Sequence, residues 1–125
     1  TGVAIGAALA GKKSIVVHPR MDFMMYAMDP IINQAAKWHF MTAKKKSVPI
    51  VIRLIIGRGW GQGPQHSQTL EVLFSHVPGL KVIAPFNGYE AKGMLNAAIK
   101  DKNPVIFFEH RWLHENYGNV PKIRW

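Results

Sequence analysis

His66 stands between Gln65 and Ser67, directly after a stretch in which glycine recurs at positions 57, 59, 61 and 63. An imidazole where a loop gives way to a helix sits among backbone amides that lack intrahelical partners. There it can act as a general acid–base or orient an oxyanion. It can equally be a helix-start residue that hydrogen-bonds its own turn. The glycines offer amides to an anion, but their spacing matches neither G-x-G-x-x-G nor the Walker loop. A loop that must pass close to other backbone is the simpler reading. His18, His39, His76, His110 and His114 show no spacing of a metal site. His110 and His114 are four apart, in aromatic surroundings at the end of the domain. No Ser-His-Asp set or nucleophile elbow occurs. Phe23, Met24, Met25 and Tyr26 could line a pocket, although such a stripe on a helix usually belongs to a core.

The elements that must carry these residues follow from periodicity. Positions 48–56 form a nearly unbroken apolar and β-branched run, which predicts a central strand covered on both faces. Leu70, Leu73, Phe74 and Val77 predict a helix with Glu71 outward, stopped by Pro78-Gly79. Upstream, 2–10 reads as a small apolar helix with Gly11 at its C-terminal cap, and SIVVH at 14–18 as a strand. One long helix is expected over 21–42, kinked at Pro30. Downstream come a strand at 81–84, a turn at Asn87-Gly88, and an amphipathic helix with Glu90, Lys92, Asn96 and Lys100 on its wet face. A buried strand follows at 105–108. Strand and helix alternate with short connections, so the expected fold class is α/β: a three-layer, mainly parallel sheet with helices on both faces. The expected domain is 1–113, with 114–125 a tail leading into a further segment.

A chain of 125 residues suits one domain. With 48% hydrophobic and 18% charged residues it is globular rather than disordered. The absence of cysteine excludes a disulfide scaffold, thiolate metal sites and cysteine nucleophiles, and fits a reducing cytoplasm. No apolar run is long enough to span a membrane. Sixteen Lys and Arg against seven Asp and Glu give a net charge of +9. The charge clusters only at Lys44, Lys45 and Lys46, a solvated turn ahead of a strand, which argues against nucleic acid as partner. The first residues read as a helix already under way, so a truncated or partial gene product is expected.

The stretch IRLIIGRGWGQGPQHSQ, followed by HVPGLKVIAPFNGYEAKGMLNAAIKDKNPVIFFEH, closely resembles the beta subunit of thiamine-diphosphate-dependent 2-oxoacid dehydrogenases, among them the pyruvate, branched-chain and acetoin enzymes. GVAIGAALAGKKSIV and INQAAKWHFM carry the same resemblance, which runs from Thr1 to about Leu113. It implies the pyrimidine-binding domain of the transketolase-like superfamily. It implies that Phe23 stacks on the aminopyrimidine ring of thiamine diphosphate, with Tyr26 beside the cofactor where a smaller polar residue is common. His66 would face the substrate-derived intermediate and steer its charge and protons. A potassium ion would be held largely by backbone carbonyls at Ile50, Ala98, Ile99, Asp101 and Asn103. Pro19 and Arg20 depart from the usual pair near the cofactor. The family's essential glutamate aligns a few residues ahead of Thr1. The G-D-G motif that binds diphosphate and magnesium belongs to a partner domain, and nothing here matches it.

Two readings of function follow. The chain is the pyrimidine-binding part of a 2-oxoacid dehydrogenase beta subunit, inactive by itself and completed by an alpha-type subunit. Alternatively it is a non-enzymatic, self-associating module from a mobile or partial gene. In either case the apolar side chains Trp60, Phe86 and Trp112 would lie on exposed surface, so a homo-oligomer is expected.

Overall fold

The computed structural model describes residues 1–59 and 61–122. Trp60, one of the expected surface side chains, lies outside them. Four strands, β1 (Ser14–His18), β2 (Ile50–Ile56), β3 (Lys81–Ile83) and β4 (Val105–His110), form one sheet in the order β1-β2-β4-β3. Every pairing is parallel. β2 and β4 are central, as their continuous apolar sequences demand, because a parallel sheet is covered on both faces. Alternate residues serve opposite layers. Ile50, Ile52, Leu54 and Ile56 join Ile106 and Phe108 in the larger core, against α1 (Gly2–Leu9) and the helical path from residue 21 to 41. Val51, Val105 and Phe107 face the other way, onto Ala98 and its neighbours in α5 (Gly88–Lys100). The result is the expected three-layer α/β arrangement.

The long helix expected over 21–42 is a chain of short turns instead. α2 (Met21–Met24) passes through a 3-10 turn at Met25–Ala27 and a π turn at Pro30–Ala35 into α3 (Ala36–Met41). Pro30 has no amide to donate, so the regular hydrogen-bond ladder cannot run through it. The apolar side still faces the sheet, with Met21, Met24, Ile31 and Ala35 buried. The helix expected from Leu70 shrinks to α4 (Val72–Ser75). There Phe74 is fully buried against Phe108, while Val72 and Leu73 are exposed. Glu71 does not point outward: its Oε2 is buried without a hydrogen-bond partner.

Asn87-Gly88 is not a free-standing turn either. Asn87 caps α5, its Oδ1 accepting the Glu90 amide at 2.8 Å, while the Phe86 amide donates to Glu90 Oε2 at 3.1 Å. This reciprocal pair satisfies two amides at the helix start. Among the described residues no helix is long and apolar enough to cross a membrane.

Candidate functional site

β1 and β2 run in parallel and end side by side, His18 opposite Leu54. The chain leaves β1 through Pro19 and Arg20 into α2, and leaves β2 through Gly57 into the glycine loop. Both exits lie at the carboxyl edge of the sheet, where open α/β folds present their working groups. α2 delivers Phe23. The loop delivers His66 at the end of a 3-10 turn, Pro64–His66. The two rings meet edge to face, centroids 4.9 Å apart and planes at 70°. His66 is half-buried, and its Nδ1 is buried with no hydrogen-bond partner. Phe23 keeps 47% of its surface exposed. The half-open ring of Phe23 can stack on a flat partner, while the His66 Nδ1 is closed off from solvent.

Around this pair lies a set of polar contacts that periodicity could not reveal. Arg20 Nη2 donates to the Gly57 carbonyl at 2.6 Å. Asp22 Oδ1 accepts the Gln68 backbone amide at 3.2 Å and the Gln68 Nε2 at 3.0 Å. Arg20 Nε and Asp22 Oδ2 stand 3.7 Å apart, each otherwise without a partner. The only sequence signal was two opposite charges, one residue apart, just ahead of an apolar helix.

Tyr26 is not brought to the pair. Its side chain stands 96% exposed on the 3-10 turn after α2. Among the described residues the glycine loop passes close to side chains rather than to other backbone. A Cβ at Gly57, where φ is +82°, would lie 2.7 Å from the His110 ring, and one at Gly59 would lie 3.2 Å from Arg111 Cγ.

The five positions implied for potassium gather at the C-terminal end of α5 and the start of β2. There the Ile99 carbonyl accepts Lys13 Nζ at 2.7 Å, and the Asp101 amide donates back to the carbonyls of Ala97 and Ala98. The Asp101 carboxylate is held by Lys81 and by the Asn103 amide. Burial pushes the Asp101 carboxyl up, but the hydrogen bond and charge of Lys81, with help from Asn103, outweigh it and hold it below its ordinary value. The Ile99 carbonyl, one of the five, is thus already occupied by an ammonium.

Two hollows lie elsewhere. One, of about 600 Å³, runs between Ala36, Phe40, Gly79 and Pro104. The other, of about 380 Å³, is bordered by Arg53, Glu109, His110 and His114 on the α5 side of the sheet. Its charges are internally matched: Arg53 Nε donates to Glu109 Oε1 at 2.6 Å, and His114 Nε2 lies 3.3 Å from Glu109 Oε2. Among the described residues no group of three or more His, Cys, Asp or Glu could hold a metal ion.

Comparison with known proteins places this geometry. Residues 1–115 match the family described as the pyrimidine binding domain of transketolase. The chain is similar to the beta subunit of acetoin:2,6-dichlorophenolindophenol oxidoreductase from Cupriavidus necator, 47% identical over 121 residues, covering 97% of this chain and 36% of that protein. It is similar to the beta subunit of the pyruvate dehydrogenase E1 component of Rickettsia conorii, 43% identical, covering 97% of this chain and 37% of the relative. With the mitochondrial beta-2 subunit of the same component from Oryza sativa subsp. japonica it shares 46% identity, covering 91% of this chain and 30% of the relative. The chain thus spans about a third of the length of these curated relatives. The match along residues 1–115 and the all-parallel sheet agree: this chain belongs to the family of transketolase pyrimidine-binding domains.

Proposed function

We propose that this chain forms the pyrimidine-binding part of the beta subunit of a thiamine-diphosphate-dependent 2-oxoacid dehydrogenase. The observation that carries the reading is the contact between Phe23 and His66 at the carboxyl edge, with His66 Nδ1 buried and unpartnered. Thiamine diphosphate, when bound, supplies the electron sink for decarboxylation of a 2-oxoacid. Phe23 offers its exposed face to the aminopyrimidine ring and excludes water from one side of it. His66, fixed by that edge contact, holds or moves a proton at an imidazole nitrogen facing the substrate. Tyr26, one helical turn beyond Phe23, is the nearest further aromatic on that segment and would have to swing in to join them. A cation held at Ile50, Ala98, Ile99, Asp101 and Asn103 would have to share the Ile99 carbonyl with the Lys13 ammonium.

The diphosphate and its metal are assigned to an alpha-type subunit. The exposure of Phe23 supports this, because a reaction that must exclude water needs a second surface to close it. Self-association of the chain is the companion reading, since Phe86 and Trp112 are both exposed. The family match does not favour the alternative of a non-enzymatic module. The lack of cysteine fits a cytoplasmic setting.

Calorimetric titration with thiamine diphosphate and magnesium tests the reading, on the chain alone and on the chain mixed with an alpha-type subunit. The expected result is binding that appears or tightens with the partner and weakens by about tenfold in Phe23→Ala, the order expected for losing one stacked ring. Equal binding by the wild-type and Phe23→Ala chains would overturn it.

A further inference from the structure

The segment 57–68 is a closed loop whose ends touch. The Gly57 amide donates to the Gln68 carbonyl at 3.4 Å. That weak contact is flanked on both sides by side chains from one place, the junction between β1 and α2. Arg20 grips the Gly57 carbonyl, and Asp22 accepts both donors of Gln68. Arg20 is only 9% exposed and the Asp22 side chain 2%. The body of the loop has mostly local support: the His66 amide and the Ser67 amide and hydroxyl bond within 63–67. On its outer arm Arg58 rests over the Trp112 ring at 5.2 Å. A loop rich in glycine loses much conformational entropy on ordering. Something must hold it, and the buried charge pair is at its neck.

We infer that Arg20 and Asp22 are positioning residues: a clasp that shuts the neck of the 57–68 loop and thereby holds His66 against Phe23. The connectivity requires this coupling. Phe23 follows Asp22 directly, and His66 precedes Gln68 by two residues. One short span therefore ties both rings to the same carboxylate. Asp22 sets the distance between them, and Arg20 fixes the other end of the loop, so the loop can neither slide nor swing. The functional weight of the clasp rests on the reading that Phe23 and His66 are the working pair. Its existence does not, and the test below needs no cofactor.

The test reads the loop directly in the full chain. Nuclear Overhauser contacts between the Phe23 and His66 rings report their approach. Trypsin cleavage after Arg58, inside the loop, reports its opening, and cleavage after Lys92 and Lys100 in α5 reports global unfolding. Asp22→Ala is expected to lose the ring contacts and to speed cleavage after Arg58 by about tenfold or more, since hydrogen bonds to a charged group gate the opening. Cleavage in α5 should stay as in the wild type. Asp22→Asn, which keeps an acceptor for Gln68, should restore the ring contacts. Gln68→Ala lies at an exposed position and leaves the buried pair intact. It should show the same changes to a few-fold degree, which keeps the test decisive if Asp22→Ala does not fold. Wild-type ring contacts and loop cleavage in both Asp22→Ala and Gln68→Ala would overturn the clasp. So would an equal rise at Arg58, Lys92 and Lys100. Failure of thiamine diphosphate to bind, with the clasp results as expected, would reject the cofactor reading alone.

Discussion

A missing side chain decides one packing contact. Gly79 adopts φ +101°, and a Cβ there would lie 2.0 Å from the Ala36 carbonyl oxygen at the start of α3. The Pro78-Gly79 stop after α4 is therefore a backbone-to-backbone contact as well as a turn. Lys37 Nζ reinforces it by donating to the Pro78 carbonyl at 3.2 Å. Gly79→Ala combines a strained backbone with a clash that no flexible side chain can relieve, and should cost about 3 kcal/mol in urea unfolding. A loss below about 0.5 kcal/mol, the range of an ordinary surface change, would show that the turn can move away.

His18, at the end of β1, carries the pH dependence. Its ring lies 3.1 Å from the Thr1 hydroxyl, and burial lowers its pKa from 6.5. The unfolded chain therefore binds the proton more readily than the folded one. The His18 contribution should be level above about pH 6.5, fall as the pH drops from there to the lowered folded value, and level again below it. The difference between wild-type and His18→Gln unfolding free energies across this window isolates the effect from the other histidines. A difference that does not change with pH would reject it.

Among the elements, those fixed by local chemistry were legible and those fixed by distant partners were not. β2 was readable because a continuous β-branched run has few uses other than a strand covered on both faces. α5 was readable because its apolar stripe is uninterrupted and its last residues meet Asp101. The path from residue 21 to 41 carried the right apolar spacing, but spacing cannot say how a backbone solves a missing amide at Pro30. α4 was overread because Val72 and Leu73 look like core and yet face solvent, while Glu71, which looks like surface, is drawn in. Within the candidate site, His66 stood out from its own loop, and Phe23 was given its role through resemblance to a family. Arg20 and Asp22 were not, because the Gly57 carbonyl that Arg20 serves is thirty-seven residues away in the chain.

The C-terminal end of α5 makes a prediction of its own. The Lys13 ammonium reaches the Ile99 carbonyl across eighty-six residues of sequence, at the negative end of the helix dipole. Lys13 is exposed, so the contact is worth about 0.3–1 kcal/mol. Lys13→Met should lose that amount and leave carbonyls open to a free cation. Thermal unfolding in potassium chloride and in choline chloride, at equal ionic strength, separates the cases. The wild type should melt alike in both, and the variant should melt higher in potassium. A wild type stabilised by potassium would mean that the lysine does not occupy the site.

At the scale of the whole fold, the decisive imbalance among the described residues is between four strands and the single helix on one side of them. A helix is about 10 Å across and strands lie about 4.8 Å apart, so α5 can cover β4 and its immediate neighbours but not β1 as well. Ile15 and Val17 of β1 point to that side, in register with Val51 and Arg53, and remain 49% and 53% exposed. An edge strand with free backbone groups and two bare β-branched side chains invites a cover. Arg53 and Glu109 border the strip and give it a polar rim, as interfaces commonly have. The expectation is a chain that self-associates through this face when no other subunit covers it. Light scattering across a concentration series should find assemblies larger than one chain. Ile15→Lys together with Val17→Lys should disperse them while changing stability by no more than about 0.5 kcal/mol, as for other exposed positions. A wild type that stays monomeric throughout would remove the argument from β1. A double variant that no longer folds would place those two side chains in the core instead.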